Sequence, residues 1–333
     1  MDTDLLIVGG GPAGCAAAVM AASVGMRSVL IESGDVLCGA LRRIPVVRNV
    51  LSATNGPDLA AAIEADLAQC DLCRVELGRR ATLIDAFDDR VEVTVEAVEP
   101  AGSPGSDRAS ESRLTAPYVV VATGVGPLGP ERAGWLGGAA GRALPPLWEA
   151  EPDAIDDRTV LVLGADRPLG TVARAHPELQ ARFVVAYPPE DAYKTEEVRR
   201  DPRVELVTVR RLELGPAGPG SASAPVTAEV ETVEGERRTL AADLVFLNLG
   251  SAPAPPAGTV ASDRSGYCPP GSQHPRVFTA GDLRSVRFQR IATAMGSGGE
   301  AALGAYYASR GLPTETGGPP TEVGRPPGPT GGG

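Results

Sequence analysis

The sequence predicts an α/β fold built on two strand–turn–helix–strand units, and three observations predict it. An apolar run at residues 4–8 passes through a glycine turn into an Ala-rich helix at 12–25, then into a second apolar run at Ser28–Glu32. The same order recurs at Thr159–Leu163, which runs into Gly164, a candidate helix at 172–181 and a strand at Arg182–Ala186. Further short apolar runs at Tyr118–Ala122, Asp243–Leu249 and Arg276–Thr279 end in small or acidic turn residues. Strands alternating with helices in this way form parallel sheets.

The remaining elements fill in between. Pro57 to Ala68 has the apolar spacing of an amphipathic helix, and Arg74–Leu77, Ala81–Asp85 and Val91–Val98 read as strands. Val204–Val209 and Thr227–Val233 read as hairpin strands, and residues 291–310 as a long helix of small residues. Gly/Pro/Ser-rich stretches at 100–112 and 215–225 read as loops, and 313–333 as a disordered tail with little to bury.

Composition bounds the function. The chain has 333 residues, enough for two domains, and is 43% hydrophobic, enough for a core. Its net charge of −11, with no basic stripe, speaks against nucleic acid and anionic membrane as partners. The start of the chain enters an apolar strand at Leu5 with no basic leader, so a cytoplasmic protein is expected. Five cysteines (Cys15, Cys38, Cys70, Cys73, Cys268) are an odd set in a large chain, which does not suit a secreted disulfide framework. His176 and His274 are isolated, so no metal site and no Ser-His-Asp arrangement is expected.

The most specific motif follows the first strand. Gly9-x-Gly11-x-x-Gly14 gives a tight turn at Gly9, close backbone approach for a pyrophosphate at Gly11 and close helix–strand packing at Gly14. The helix that starts at Pro12 and Ala13 turns free N–H groups and a positive dipole end toward the phosphates. Glu32, eighteen residues after Gly14, closes the second strand with an acceptor for ribose hydroxyls. Strand, helix, strand and terminal acid together define a Rossmann-like dinucleotide site.

A resemblance says which dinucleotide. Ala122-Thr123-Gly124 after its strand, Thr279-Ala280-Gly281-Asp282, the run Arg276 to Gly299, the glycine motif, Cys38-Gly-Ala-Leu41 and Asn49 are together similar to thioredoxin reductases over residues 1 to about 312. The resemblance implies FAD and two Rossmann-like domains of the three-layer ββα type. It divides the chain into a discontinuous FAD-binding domain (1–126 and 244–312) and an inserted NADPH-domain-like module (127–243), in a homodimer. It assigns Ser33 beside Glu32 and Leu41 and Asn49 to the cofactor, and Asp282 to a ribityl hydroxyl. Arg290 and Ile291 are assigned to the flavin edge, under the helix at 291–310. Cys38 lies in the segment that resembles the turn beside the flavin, and is the candidate catalytic thiol.

Departures from that family shape the expected chemistry. Leu147 and Ala150 stand where thioredoxin reductases carry their Cys-x-x-Cys, so the usual disulfide relay has no thiols. In the second glycine turn Asp166 replaces a Gly and Pro168 removes a donor. Tyr187-Pro188-Pro189-Glu190-Asp191 stands where the family has a His-Arg-Arg for the 2′-phosphate. Cys70 and Cys73 read as packing at a helix end, and Cys15 and Cys268 as inert. The expectation is a FAD-dependent oxidase or dehydrogenase of a small molecule, a thiol among the candidates, with oxygen or a carrier as acceptor. An NAD(P)H-dependent disulfide reductase with altered sites and a non-enzymatic FAD-binding module remain open.

Overall fold

The computed structural model describes residues 3–98, 111–216 and 225–312. The expected loops and tail at 100–112, 215–225 and 313–333 lie largely outside those residues. The chain begins β1 (Leu5–Val8), α1 (Pro12–Ser23), β2 (Ser28–Ile31), a single turn α2 (Gly39–Arg42), α3 (Gly56–Ala68) and β3 (Cys73–Glu76). β4 (Arg79–Ala86), β5 (Val91–Ala97), β6 (Ser112–Ala116) and β7 (Tyr118–Val121) follow. β8 (Val125–Pro127), β9 (Leu136–Gly137) and α4 (Pro152–Ile155) lead to β10 (Thr159–Leu163), α5 (Pro168–Ala175) and β11 (Arg182–Tyr187). Next come β12 (Val204–Leu214), β13 (Val226–Thr232), β14 (Arg237–Ala242) and β15 (Leu244–Leu247). β16 (Ser251–Pro253) and β17 (Ala257–Gly258) return the chain to β18 (Val277–Thr279) and α6 (Ile291–Ser309).

The first unit has three layers. Its central sheet is parallel in the order β18-β7-β1-β2-β3, so the C-terminal segment completes a sheet begun at the N-terminus. Alternation along β1 explains the layers. Leu5 and Ile7 pack with Cys15, Ala17, Ala18 and Ala301 of α1 and α6. Leu6 and Val8 pack with Ile84, Val91, Val93 and Val95 of a second sheet, β17-β4-β5-β6. α3 is capped by Asn55, whose side chain accepts from the Asp58 N–H at 2.8 Å.

The second unit is again Rossmann-like. β10 pairs in parallel with β11 and β15, and β11 with β12. β12 then continues, through an irregularity between Val209 and Arg211, into an antiparallel ladder with β13 and β14. Among the described residues no helix is long and apolar enough to cross a membrane.

Three of these elements differ from expectation. The helix expected at 172–181 is α5, Pro168–Ala175. Proline suits a first helical position, and Pro177 cannot continue a helix because it lacks an N–H and clashes with the preceding turn. β6 and β14 were not foreseen; their runs are short and polar, and pairing with β5 and β13 makes them strands.

The α1–α6 contact is backbone to backbone. A Cβ on Gly298 would sit 2.0 Å from the Ala13 carbonyl oxygen. Gly298→Ala is therefore expected to lower stability by about 1–3 kcal/mol, the usual cost of overpacking, measured as a lower denaturant midpoint with an unchanged slope. Gly296→Ala, which meets open space, is the control expected to leave the midpoint near the parent's.

Candidate functional site

The carboxyl ends of β1, β2, β7 and β18 lie side by side, and open α/β sheets bind ligands at that edge. The topology therefore gathers four separate segments: Gly9–Gly14, Glu32–Ser33, Ala122–Gly124 and Gly281–Asp282. Gly9 turns at φ +105°, and a Cβ there would meet the Ala122 carbonyl oxygen at 2.4 Å. A Cβ on Gly14 would lie 1.8 Å from the Gly9 carbonyl oxygen. Gly11 differs, because a Cβ there would meet nothing within 4 Å. The loop is thus closed on the protein side by Gly9 and Gly14 and open at Gly11, beside the start of α1.

Glu32 is fixed against this loop. Its carboxylate accepts from the Gly10 and Gly34 N–H groups, each at 2.6 Å, and from the Ser33 hydroxyl at 3.2 Å. A carboxylate retains further lone pairs for a ribose hydroxyl. The Thr123 hydroxyl is buried without a partner among the described residues. Gly124 and Gly281 both have positive φ, +66° and +71°, and the Gly281 N–H donates to the Ser297 hydroxyl at 2.8 Å. The Asp282 carboxyl receives no hydrogen bond among the described residues and lines a cleft. Burial pushes its pKa above the ordinary carboxylate range, against the opposing charges of Arg167 and Arg290. An open phosphate turn, a ribose acceptor, an orphaned hydroxyl and an unpartnered acid fit an adenine dinucleotide such as FAD.

That cleft, of about 970 Å³, runs between the two units. Pro12, Leu41, Asn49, Asp282, Arg290 and Ile291 line it from the first unit, and Trp148, Ala150, Asp166 and Arg167 from the second. Arg167 bridges them, donating to the Gln289 carbonyl at 3.2 Å. Arg290 also donates to that carbonyl, at 2.8 Å, and its own N–H caps α6 through Thr293 at 3.2 Å.

One sequence reading needs correction. Cys38 does not line the cleft: it is 1% exposed, at φ 57° just before α2, and its thiol lies 4.0 Å from Cys15. A catalytic thiol meeting substrate in the cleft is therefore not what this side chain is placed to be. Cys15, expected to face the helix core, is fully buried there. Sequence reasoning also missed Arg167 as a cleft residue, Ser297 as the partner of Gly281, and Gly298 as the contact with α1. The only sequence signal for the last two was the small-residue character of the final helix.

Among the described residues no group of three or more His, Cys, Asp or Glu side chains could hold a metal ion.

Comparison with known proteins agrees with the site. Residues 4–68 match the FAD dependent oxidoreductase family. The chain is 26% identical over 326 residues to an alkyl hydroperoxide reductase subunit of Pseudomonas putida, covering 91% of this chain and 57% of that protein. It is 27% identical over 260 residues to a ferredoxin–NADP reductase of Granulibacter bethesdensis, covering 74% of this chain and 69% of that protein. Among solved structures, Lactococcus lactis thioredoxin reductase superposes with a TM-score of 0.71 at 19% identity, covering 93% of this chain and all of that one. Thioredoxin reductase from T. acidophilum gives 0.70 at 22%, covering 93% and 99%. The chain thus spans a little over half the length of the first of these relatives.

The first unit thus carries a site shaped for FAD, within a segment similar to the FAD dependent oxidoreductases. The fold is the one seen in the thioredoxin reductases, and Leu147 and Ala150 stand where the resemblance places their Cys-x-x-Cys.

Asp282→Asn gives two expected outcomes. Losing a charge-assisted hydrogen bond to FAD costs about 1.5–3 kcal/mol, so FAD affinity measured by fluorescence titration falls about 10- to 150-fold. In flavin-free protein the raised folded pKa means that the folded state holds more protons than the unfolded one above the ordinary carboxylate pKa. Stability from this group is then lost as pH rises through the folded pKa. The variant is expected to melt above the parent at neutral pH, with the gap closing at acid pH.

Proposed function

We propose that the chain is a FAD-dependent oxidase or dehydrogenase of a small molecule bound in the inter-unit cleft, without conventional use of NADPH. Bound FAD supplies a two-electron acceptor. The chain supplies an enclosed cleft, the Asp282 carboxyl, the Arg290 and Arg167 cations and the indole of Trp148 beside Ala150. Oxygen or an electron carrier reoxidises the cofactor. A homodimer in the cytoplasm, with neither nucleic acid nor membrane as partner, completes the reading.

The observation that carries it is the second glycine turn. Gly164 repeats Gly9, with φ +105° and a would-be Cβ 2.3 Å from the Asn248 carbonyl oxygen. Where Gly11 leaves space in the first turn, Asp166 places a carboxylate in the cleft, with its carboxyl carbon 3.7 Å from the would-be Cβ of Gly250. Its N–H is spent on the Asn248 carbonyl at 3.1 Å, and its carbonyl accepts from the Asn248 amide at 2.8 Å. A pyrophosphate would meet negative charge and occupied donors. The 2′-phosphate end is no better. Tyr187 is buried and accepts from the Thr208 hydroxyl at 3.1 Å. Lys194, the chain's one lysine, is held by Asp191 at 2.8 Å. Burial draws the Lys194 pKa down, but Asp191, with help from Asp166, outweighs it and keeps the ammonium charged and engaged.

A second reading, an NAD(P)H-dependent reductase with an altered nucleotide site, is favoured by the relatives' names, ferredoxin–NADP reductase and NADH dehydrogenase. Anaerobic mixing of the FAD-loaded protein with NADPH, NADH and a panel of dithiols and other small two-electron donors separates the two. The proposal expects the flavin absorbance to persist with both nicotinamides for many minutes and to bleach with a small donor. Rapid bleaching by NADPH or NADH selects the second reading.

A further inference from the structure

The thiol pair behind the glycine loop has no part in the function proposed above. Cys15 sits in the first turns of α1 and Cys38 at the entrance to α2, with their sulfurs 4.0 Å apart and both side chains buried. Both hold the same carbonyl: the Cys15 thiol donates to Gly10 O at 3.4 Å, and the Cys38 N–H donates to it at 2.9 Å. A disulfide needs the sulfurs about 2 Å apart, so the pair must close by about 2 Å to bond. The two thiols are also unequal. The contact between the two sulfurs and then the Arg42 guanidinium draw Cys38 below the ordinary thiol range, against burial, and the same contact, then burial, pushes Cys15 up.

We propose that Cys15 and Cys38 form a peroxide-oxidisable dithiol site, a modification site distinct from the cleft. In the first step the Cys38 thiolate attacks a hydroperoxide oxygen. An S–O bond forms, the O–O bond breaks, and the leaving alkoxide or hydroxide takes the Cys15 proton. In the second step the Cys15 thiolate attacks the Cys38 sulfur, forming the S–S bond and releasing hydroxide. One thiol, one thiolate and one hydroperoxide thus give a disulfide, an alcohol or water, and hydroxide. A small oxidant is the class the site admits, because residues only 0% and 1% exposed exclude a peptide disulfide. Cys15 is also in the wall of a second cavity, of about 1370 Å³, between α1, α6 and the segment 270–279, which lies next to the pair. Exchange with an added dithiol restores the thiols.

Cys70 and Cys73 provide an internal comparison. They pack against the same core layer, but burial raises the pKa of both, and no sulfur contact joins them among the described residues. The test uses the full FAD-loaded chain, reduced, exposed to hydrogen peroxide and alkylated under denaturing conditions before peptide mapping. The expected result is loss of two of the five thiols, with the Cys15 and Cys38 peptides joined and released again by dithiothreitol. C15A, which removes the resolving thiol, is expected to leave Cys38 as a sulfenic acid trapped by dimedone. C38S is expected to leave Cys15 fully alkylated. Retention of both thiols in the parent overturns the proposal, as does joining of Cys70 to Cys73 alone. The parent mapping decides the matter if either variant fails to fold.

Discussion

Three stretches of chain far apart in sequence approach one another with no side chain between them, and the site exists only because they can. A Cβ on Gly14 would press on the Gly9 carbonyl, one on Gly298 on the Ala13 carbonyl, and one on Gly281 on the Ala13 Cβ at 2.9 Å. The turn after β1, the turn after β18 and the body of α6 are therefore held against the first turn of α1 at backbone distance. Close packing leaves little room to relax such contacts. With these positions fixed, the phosphate turn, the half-buried Asp282 and the start of α6 at Ile291 are held in place relative to one another. The rest of the cleft hangs from that frame.

In the second unit the geometric requirement of the turn and the chemistry facing the cleft fall on different residues. Gly164 keeps the turn because strand-to-helix reversal demands the same positive φ that Gly9 adopts. That demand is imposed by packing and is indifferent to ligand. The position two residues on faces the cleft, and where the first turn has Gly11 the second has Asp166, whose backbone is tied to Asn248. Stability and phosphate binding thus separate residue by residue within one motif. Arg167 turns to the Gln289 carbonyl beside the start of α6, joining the second unit's turn to the first unit across the cleft.

Much of the fold was legible because its signals are local. The continuous apolar run Leu5–Val8, the glycines with positive φ and the acid after β2 each follow from backbone or burial physics over a few residues. The α5 boundary was misjudged because Pro177 outweighs the apolar run that continues past it. β14 was invisible because Arg237–Ala242 becomes a strand only through its neighbour β13. At the site, the residues that bracket the dinucleotide were readable from motif spacing. The Cys15–Cys38 contact was not, because it is a tertiary proximity between α1 and the α2 turn, 23 residues apart. Ser297 and Gly298 were hidden for the same reason, inside a helix whose composition signals close packing without saying against what.

The central claim is that the inserted unit has kept its fold and lost its nucleotide site. Calorimetric titration of the FAD-loaded protein with NADPH, set beside the Asp166→Gly variant, tests it most directly. No saturable heat is expected for the parent and at most weak binding for the variant, since Lys194 and the Pro188-Pro189 turn still offer no free cation. Saturable, one-to-one, micromolar binding of NADPH to the parent would contradict it.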